Sequence, residues 1–122
     1  MQIHGTNGLD CVVVFPDDLI DQQPEAVQAY VTTIIEAGKY IEASPLDAST
    51  HASPFMLDLA PEVIVQAIEN PAHRSSYEDL LPKKSEFEEF QEYMITLGLI
   101  PDEIDLDAFV NDSFAQKAER SL

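Results

Sequence analysis

Tryptophan is absent, cysteine occurs once, glycine four times, and six basic side chains stand against 23 acidic ones in 122 residues. Each shortage excludes something. The lone cysteine, Cys11, rules out an internal disulfide and any Cys-rich zinc site. With so few lysines and arginines and a formal net charge of −17, the chain cannot grip nucleic-acid phosphates, because that binding is driven by clustered cations. A polybasic membrane anchor is excluded on the same ground. The sparse glycines form no phosphate-binding loop, and no nucleophile elbow occurs. No stretch reaches the roughly 18 apolar residues that a membrane span requires. Residues 1–8 carry no positive charge and no long apolar region, so they do not read as a signal peptide. The chain as given is expected to remain cytoplasmic; a longer secreted precursor would put it in the periplasm.

What is present fits a folded domain. Hydrophobic residues make up 45% of the chain, too many for a disordered acidic tail. The length suits a single domain spanning 1–122, with residues 1–9 as a flexible or hinge-like lead-in. The acidic excess reads first as a solvated surface, and it permits a cationic partner.

The chain opens on Asp10-Cys11-Val12-Val13-Val14-Phe15, a β-branched run bounded by Gly8 and Pro16. It reads as a short strand buried on both faces, with Cys11 an inert buried thiol. No other segment offers this strand a mate. An unpaired edge is costly, so the expectation is self-association through it, tightening as salt screens the charge. About four to five helices follow. A turn of helix starts at Pro16. Pro24 opens a longer helix carrying Val27, Tyr30, Val31, Ile34, Ile35, Gly38 and Ile41 as an amphipathic stripe that runs to about Ala43. Gly38 inside that stripe predicts close approach of another backbone. Ser44 to Ala48 restarts a turn or short helix, and the small, polar stretch Ser49 to Pro54 predicts a break before Pro54. A further helix begins near Pro61 and stops at Asn70-Pro71. Residues 72–82 read as a loop pinned by Tyr77 and Leu80-Leu81. Ser85-Glu86-Phe87-Glu88 has capping-box form, and the helix it opens ends at Gly98. Short helices follow near Asp105 and Phe114.

The search for chemistry is mostly negative. His4, His51 and His73 are far apart and share no ligand spacing. Asp102, Glu103, Asp105, Asp107, Asn111 and Asp112 lack the glycine and terminal glutamate of a calcium loop and read as helix caps. Glu86, Glu88, Glu89 and Glu92 point to water, and Phe87, Phe90 and Tyr93 read as core. No catalytic residue, metal site or cofactor is expected, and the chain reads as non-enzymatic.

The order of elements carries a resemblance. "DCVVVF", "PDDLID", "QPEAVQAYVTTIIEAGKYIEASP", "LAPEVIVQAI", "YEDLLPKKSEFEEFQEYMITLGLI" and "IDLDAFVNDSFAQKA" follow one another from Asp10 to Ala118. This series resembles the C-terminal part of bacterial periplasmic solute-binding proteins of the nitrate/sulfonate/taurine and thiamine-pyrimidine-precursor class. The resemblance implies an α/β, predominantly helical segment of a periplasmic-binding-protein lobe, built on one buried N-terminal strand. It implies service to an ABC importer, with the importer subunits as partners. A small polar solute would be the ligand, bound weakly by this segment alone. It also implies that Asp10, at the start of the strand, faces the ligand cleft, with His4 and Asn7 just upstream as further ligand-binding positions. The alternative is a free-standing acidic, mainly helical interaction module that engages a partner through its charge or its exposed strand.

Overall fold

The structure, a computed structural model, describes residues 11–69, 77 and 79–122. Proline punctuates its first half. Pro16 is extended (φ −62°, ψ 143°) and caps α1, Asp17–Gln22, its carbonyl accepting from the Leu19 and Ile20 amides at 3.0 and 3.2 Å. Pro24, Pro45 and Pro61 each take the first position of α2 (Pro24–Ala43), α3 (Pro45–Ala52) and α4 (Pro61–Glu69). There the missing N–H would have had no helical partner anyway, and the fixed φ is already helical. Beyond these lie α5 (Lys84–Thr96), α6 (Leu106–Phe109) and α7 (Ser113–Ser121).

Helix α2 is the axis of the molecule. Its stripe is covered chiefly by α7, where Ile35 packs with Ala115 and Ala118 and is joined by Val31, Leu80 and Leu81. The alanines keep the two helices close. Burying Ile35, 2% exposed, is worth about 1.5–3 kcal/mol. The Lys39–Glu119 bridge across the same joint, 2.9 Å long and partly exposed, adds at most about 1 kcal/mol. Packing therefore holds this joint, while the bridge and the bond from Gln28 Nε2 to the Phe114 carbonyl (3.0 Å) fix its register. The expected close approach at Gly38 is present: a Cβ there would lie 2.6 Å from Leu80 Cδ1 and 3.1 Å from the Tyr77 carbonyl oxygen. Tyr77 is tied further, its amide donating to Glu42 at 2.7 Å.

Helix α3 bridges α2 and α4, burying Ala48 and Ser49. Helices α5 and α6 pair with each other through an edge-on contact of Phe87 and Phe109, 6.0 Å between centroids, and through Lys84 on Asp107 at 2.6 Å.

Four expectations need correction. The described residues contain no strand, so the α/β lobe built on a buried N-terminal strand is not found; residues 11–16 run as an irregular strap before α1. A β-branched run has strand propensity, but a strand exists only by pairing, and nothing described here pairs with it. Cys11 is exposed rather than buried. The turn or short helix read at Ser44–Ala48 is longer: α3 runs to Ala52 and gives way before Pro54 to a 3₁₀ turn, Ser53–Phe55. Ser49 is buried there with its hydroxyl unpartnered, and Thr50 bonds back to the Leu46 carbonyl at 2.9 Å. The capping box does not form, because α5 begins one residue before Ser85, with Lys83 at its cap and no side-chain cap bond.

Candidate functional site: exposed apolar surface on an acidic helical body

The predicted ligand positions His4, Asn7 and Asp10 lie outside the described residues, as does His73. The surface that stands out instead starts one residue later. Val12, Val13 and Val14 are 43%, 51% and 66% exposed. They lie in neither helix nor strand, and their backbone groups form no hydrogen bonds among the described residues. The strap is nonetheless anchored at its far end. The ring of Phe15 meets Tyr30 of α2 edge-on, 5.6 Å between centroids and 87° between planes. Pro16 then turns the chain into α1. A line of apolar side chains, with N–H and C=O groups that find no partner among the described residues, is thus joined to α2 through Phe15.

A second exposed feature escaped the sequence reading. Between the 3₁₀ turn and α4, Phe55 is 90% and Leu57 96% exposed. Both Leu57 and Asp58 have φ +56°, the left-handed region that side-chain-bearing residues seldom adopt. The turn is tied from within. The Met56 and Asp58 amides both donate to the Ser53 carbonyl at 3.0 Å, and Ser53 Oγ donates to the Leu59 carbonyl at 2.7 Å. The signal in the sequence was Phe55-Met56-Leu57 itself, an apolar triplet between prolines with no helical stripe to join.

Polar groups converge in one place. The Tyr40 hydroxyl donates to Asp47, and the Tyr40 ring stacks on His51, 6.5 Å between centroids. The bond to the Asp47 carboxylate raises the Tyr40 pKa above its ordinary value, since ionising the phenol would break it. Beside this trio lies an open depression of about 440 Å³, lined by Ser44, Pro45, Leu46, Asp47 and Thr50. A smaller one of about 170 Å³ is lined by Ile41, Glu42, Pro45, Ile68 and Glu69. Neither contains a cation or a nucleophile paired with a base, so neither lining presents an acid–base or nucleophilic constellation. Among the described residues no three His, Cys, Asp or Glu side chains converge to hold a metal ion, and no helix is long and apolar enough to cross a membrane.

The capping role read for the late acids is present in part. Asp105 accepts from the Asp107 and Ala108 amides at 3.0 and 3.2 Å at the start of α6. Asn111 accepts from the Ser113 amide, whereas the Asp112 carboxylate accepts from the Gln116 side chain and caps no amide, the Asp112 carbonyl accepting from the Gln116 amide at 2.9 Å. Comparison with protein-family models, with curated proteins and with solved structures gave no match.

Proposed function

We propose that the chain is a non-enzymatic docking module, and that its apolar strap adds to the sheet edge of another polypeptide. Val12-Val13-Val14, exposed, in neither helix nor strand and without backbone partners among the described residues, carries this reading. Strand addition satisfies the free N–H and C=O groups in one step and covers the valines. Burying three valines is worth several kcal/mol, at about 0.8 kcal/mol per buried CH₂. The Phe15 ring already rests on Tyr30, which fixes where the strap leaves the body.

The ordered series of helical motifs supports a finer reading. On it, the module belongs to the substrate-binding component of an ABC importer for a small polar solute, and the edge is supplied by the remainder of that component. A second copy of the chain is the other occupant of the strap, pairing about a two-fold axis. On this reading the module binds solute weakly by itself, since the larger of the two depressions lies open to solvent.

The test is native size. Size-exclusion of an extract from cells making the protein should place it in a species larger than 13.6 kDa, and Val13→Asp should release it as monomer. Val13 is half exposed and belongs to no buried cluster among the described residues, so the variant should keep its helical circular dichroism. Elution of the unsubstituted chain as a free monomer would refute docking. Co-elution with a solute-binding or importer polypeptide supports the finer reading. A pure homodimer that tightens with salt supports the second copy instead.

A further inference from the structure

The turn at residues 53–59 is a second contact point, independent of the strap. We propose that Phe55 and Leu57 form a preorganised plug that inserts into an apolar pocket of a protein partner, and that lysines or arginines rim that pocket. Three observations carry this.

The first is exposure. Phe55 and Leu57, at 90% and 96%, are the most exposed large hydrophobic side chains among the described residues. An isolated exposed leucine needs no explanation, but two large anchors flanking Met56 on one tight turn are the usual makings of an interface hot spot.

The second is geometry held at a cost. Leu57 and Asp58 are consecutive residues at φ +56°. Such conformations persist only where surrounding bonds over-determine them. Here Ser53 supplies those bonds through its carbonyl and its hydroxyl, and Leu59 donates to Met56 at 3.1 Å. The turn is therefore fixed before any partner arrives, which lowers the ordering entropy lost on binding.

The third observation selects the occupant. Described residues 40–69 hold Glu42, Asp47, Asp58, Glu62 and Glu69, and no lysine or arginine. Asp58 sits on the plug itself and Glu62 in the first turn of α4 behind it. Asp58 and Glu62, within a stretch that carries no lysine or arginine, repel an anionic bilayer and a second copy carrying the same charges. It complements a basic rim, which would speed encounter and fix register while the plug supplies the buried area.

The test places a photo-crosslinking residue on the plug, Phe55→p-benzoylphenylalanine, in the full chain in the cells that make it. Because Phe55 contributes nothing to the core, the substitution leaves the fold intact. Thr33, exposed on α2, carries the same group as a control. The expected result is a protein adduct specific to position 55, with crosslinked residues in an apolar pocket flanked by lysine or arginine. Combining Asp58→Lys with Glu62→Lys should cut its yield about tenfold, the equivalent of about 1.4 kcal/mol. The adduct should survive Val13→Asp, which separates this inference from the strap. An adduct only to a second copy, only to lipid, or none at all would overturn it. So would a protein adduct whose yield the charge reversal leaves unchanged.

Discussion

Gly38 shows how one side-chain hydrogen can decide the fit of a loop. Helix propensity alone favours alanine over glycine in mid-helix by up to about 1 kcal/mol. Here the added methyl meets Leu80 Cδ1 at 2.6 Å and the Tyr77 carbonyl oxygen at 3.1 Å. Leu80 is a flexible tip and can swing away; the Tyr77 backbone is held by Glu42 and cannot easily retreat. Overpacking of this kind costs about 1–3 kcal/mol, so it outweighs the propensity gain. Gly38→Ala should destabilise the protein by about 1 kcal/mol net, measured as a lowered urea midpoint. An unchanged or raised midpoint would mean that the segment at 77–81 does not press on α2. The sequence announced this contact, since a glycine inside an apolar helical stripe has few other uses. It did not announce the exposure of Cys11, because burial of a short apolar run depends on what lies opposite, and no local pattern encodes that.

Among the elements, the end of α5 is the most fully specified. Gly98 has φ +69°, its amide donates to the Ile95 carbonyl at 2.9 Å, and the Leu99 amide donates to Met94 at 2.9 Å. Together these bonds make a Schellman motif, the helix end that glycine favours. Nothing lies within 4 Å of a Cβ built on Gly98, so a substitution there meets only backbone strain. Gly98→Ala should therefore cost about 1 kcal/mol and speed amide exchange at Leu99, while Gly38→Ala leaves that exchange unchanged. Unaltered exchange at Leu99 would refute the cap. Helix starts and stops were the most legible part of the chain, because proline at the first position and glycine past the last act locally. Two element readings failed for reasons of context. The helix read at 44–48 was too short: residues 49–52 are small and polar, yet Ala48 and Ser49 are buried and α3 runs on to Ala52. Ser85 and Glu88 had capping spacing, but the helix starts at Lys84, where Lys84 meets both Glu88 at 4.0 Å and Asp107 at 2.6 Å.

Across the whole molecule, apolar surface and charge pull against each other. The described core is narrow: Val27, Ile35, Ile64, Phe87 and Leu106 are its large buried side chains. Val12, Val13, Val14, Phe55, Leu57 and Leu99 meanwhile stand in solvent. The net charge of −17 keeps such a surface soluble and disfavours pairing between identical copies. The candidate site was only half legible. The apolar run at 11–15 was visible as a feature wanting a mate, whereas the plug at 55–57 appears only once the turn's backbone is known. Cys11 supplies a built-in reporter for the central claim, being the single thiol and lying exposed at the start of the described strap. The decisive measurement is its rate of maleimide labelling in the purified chain and in a native extract. Docking of the strap predicts rapid, stoichiometric labelling of the dilute purified chain, labelling slowed about tenfold or more in the extract, and recovery of the fast rate with Val13→Asp. Equal rates in the purified chain and the extract would contradict the account.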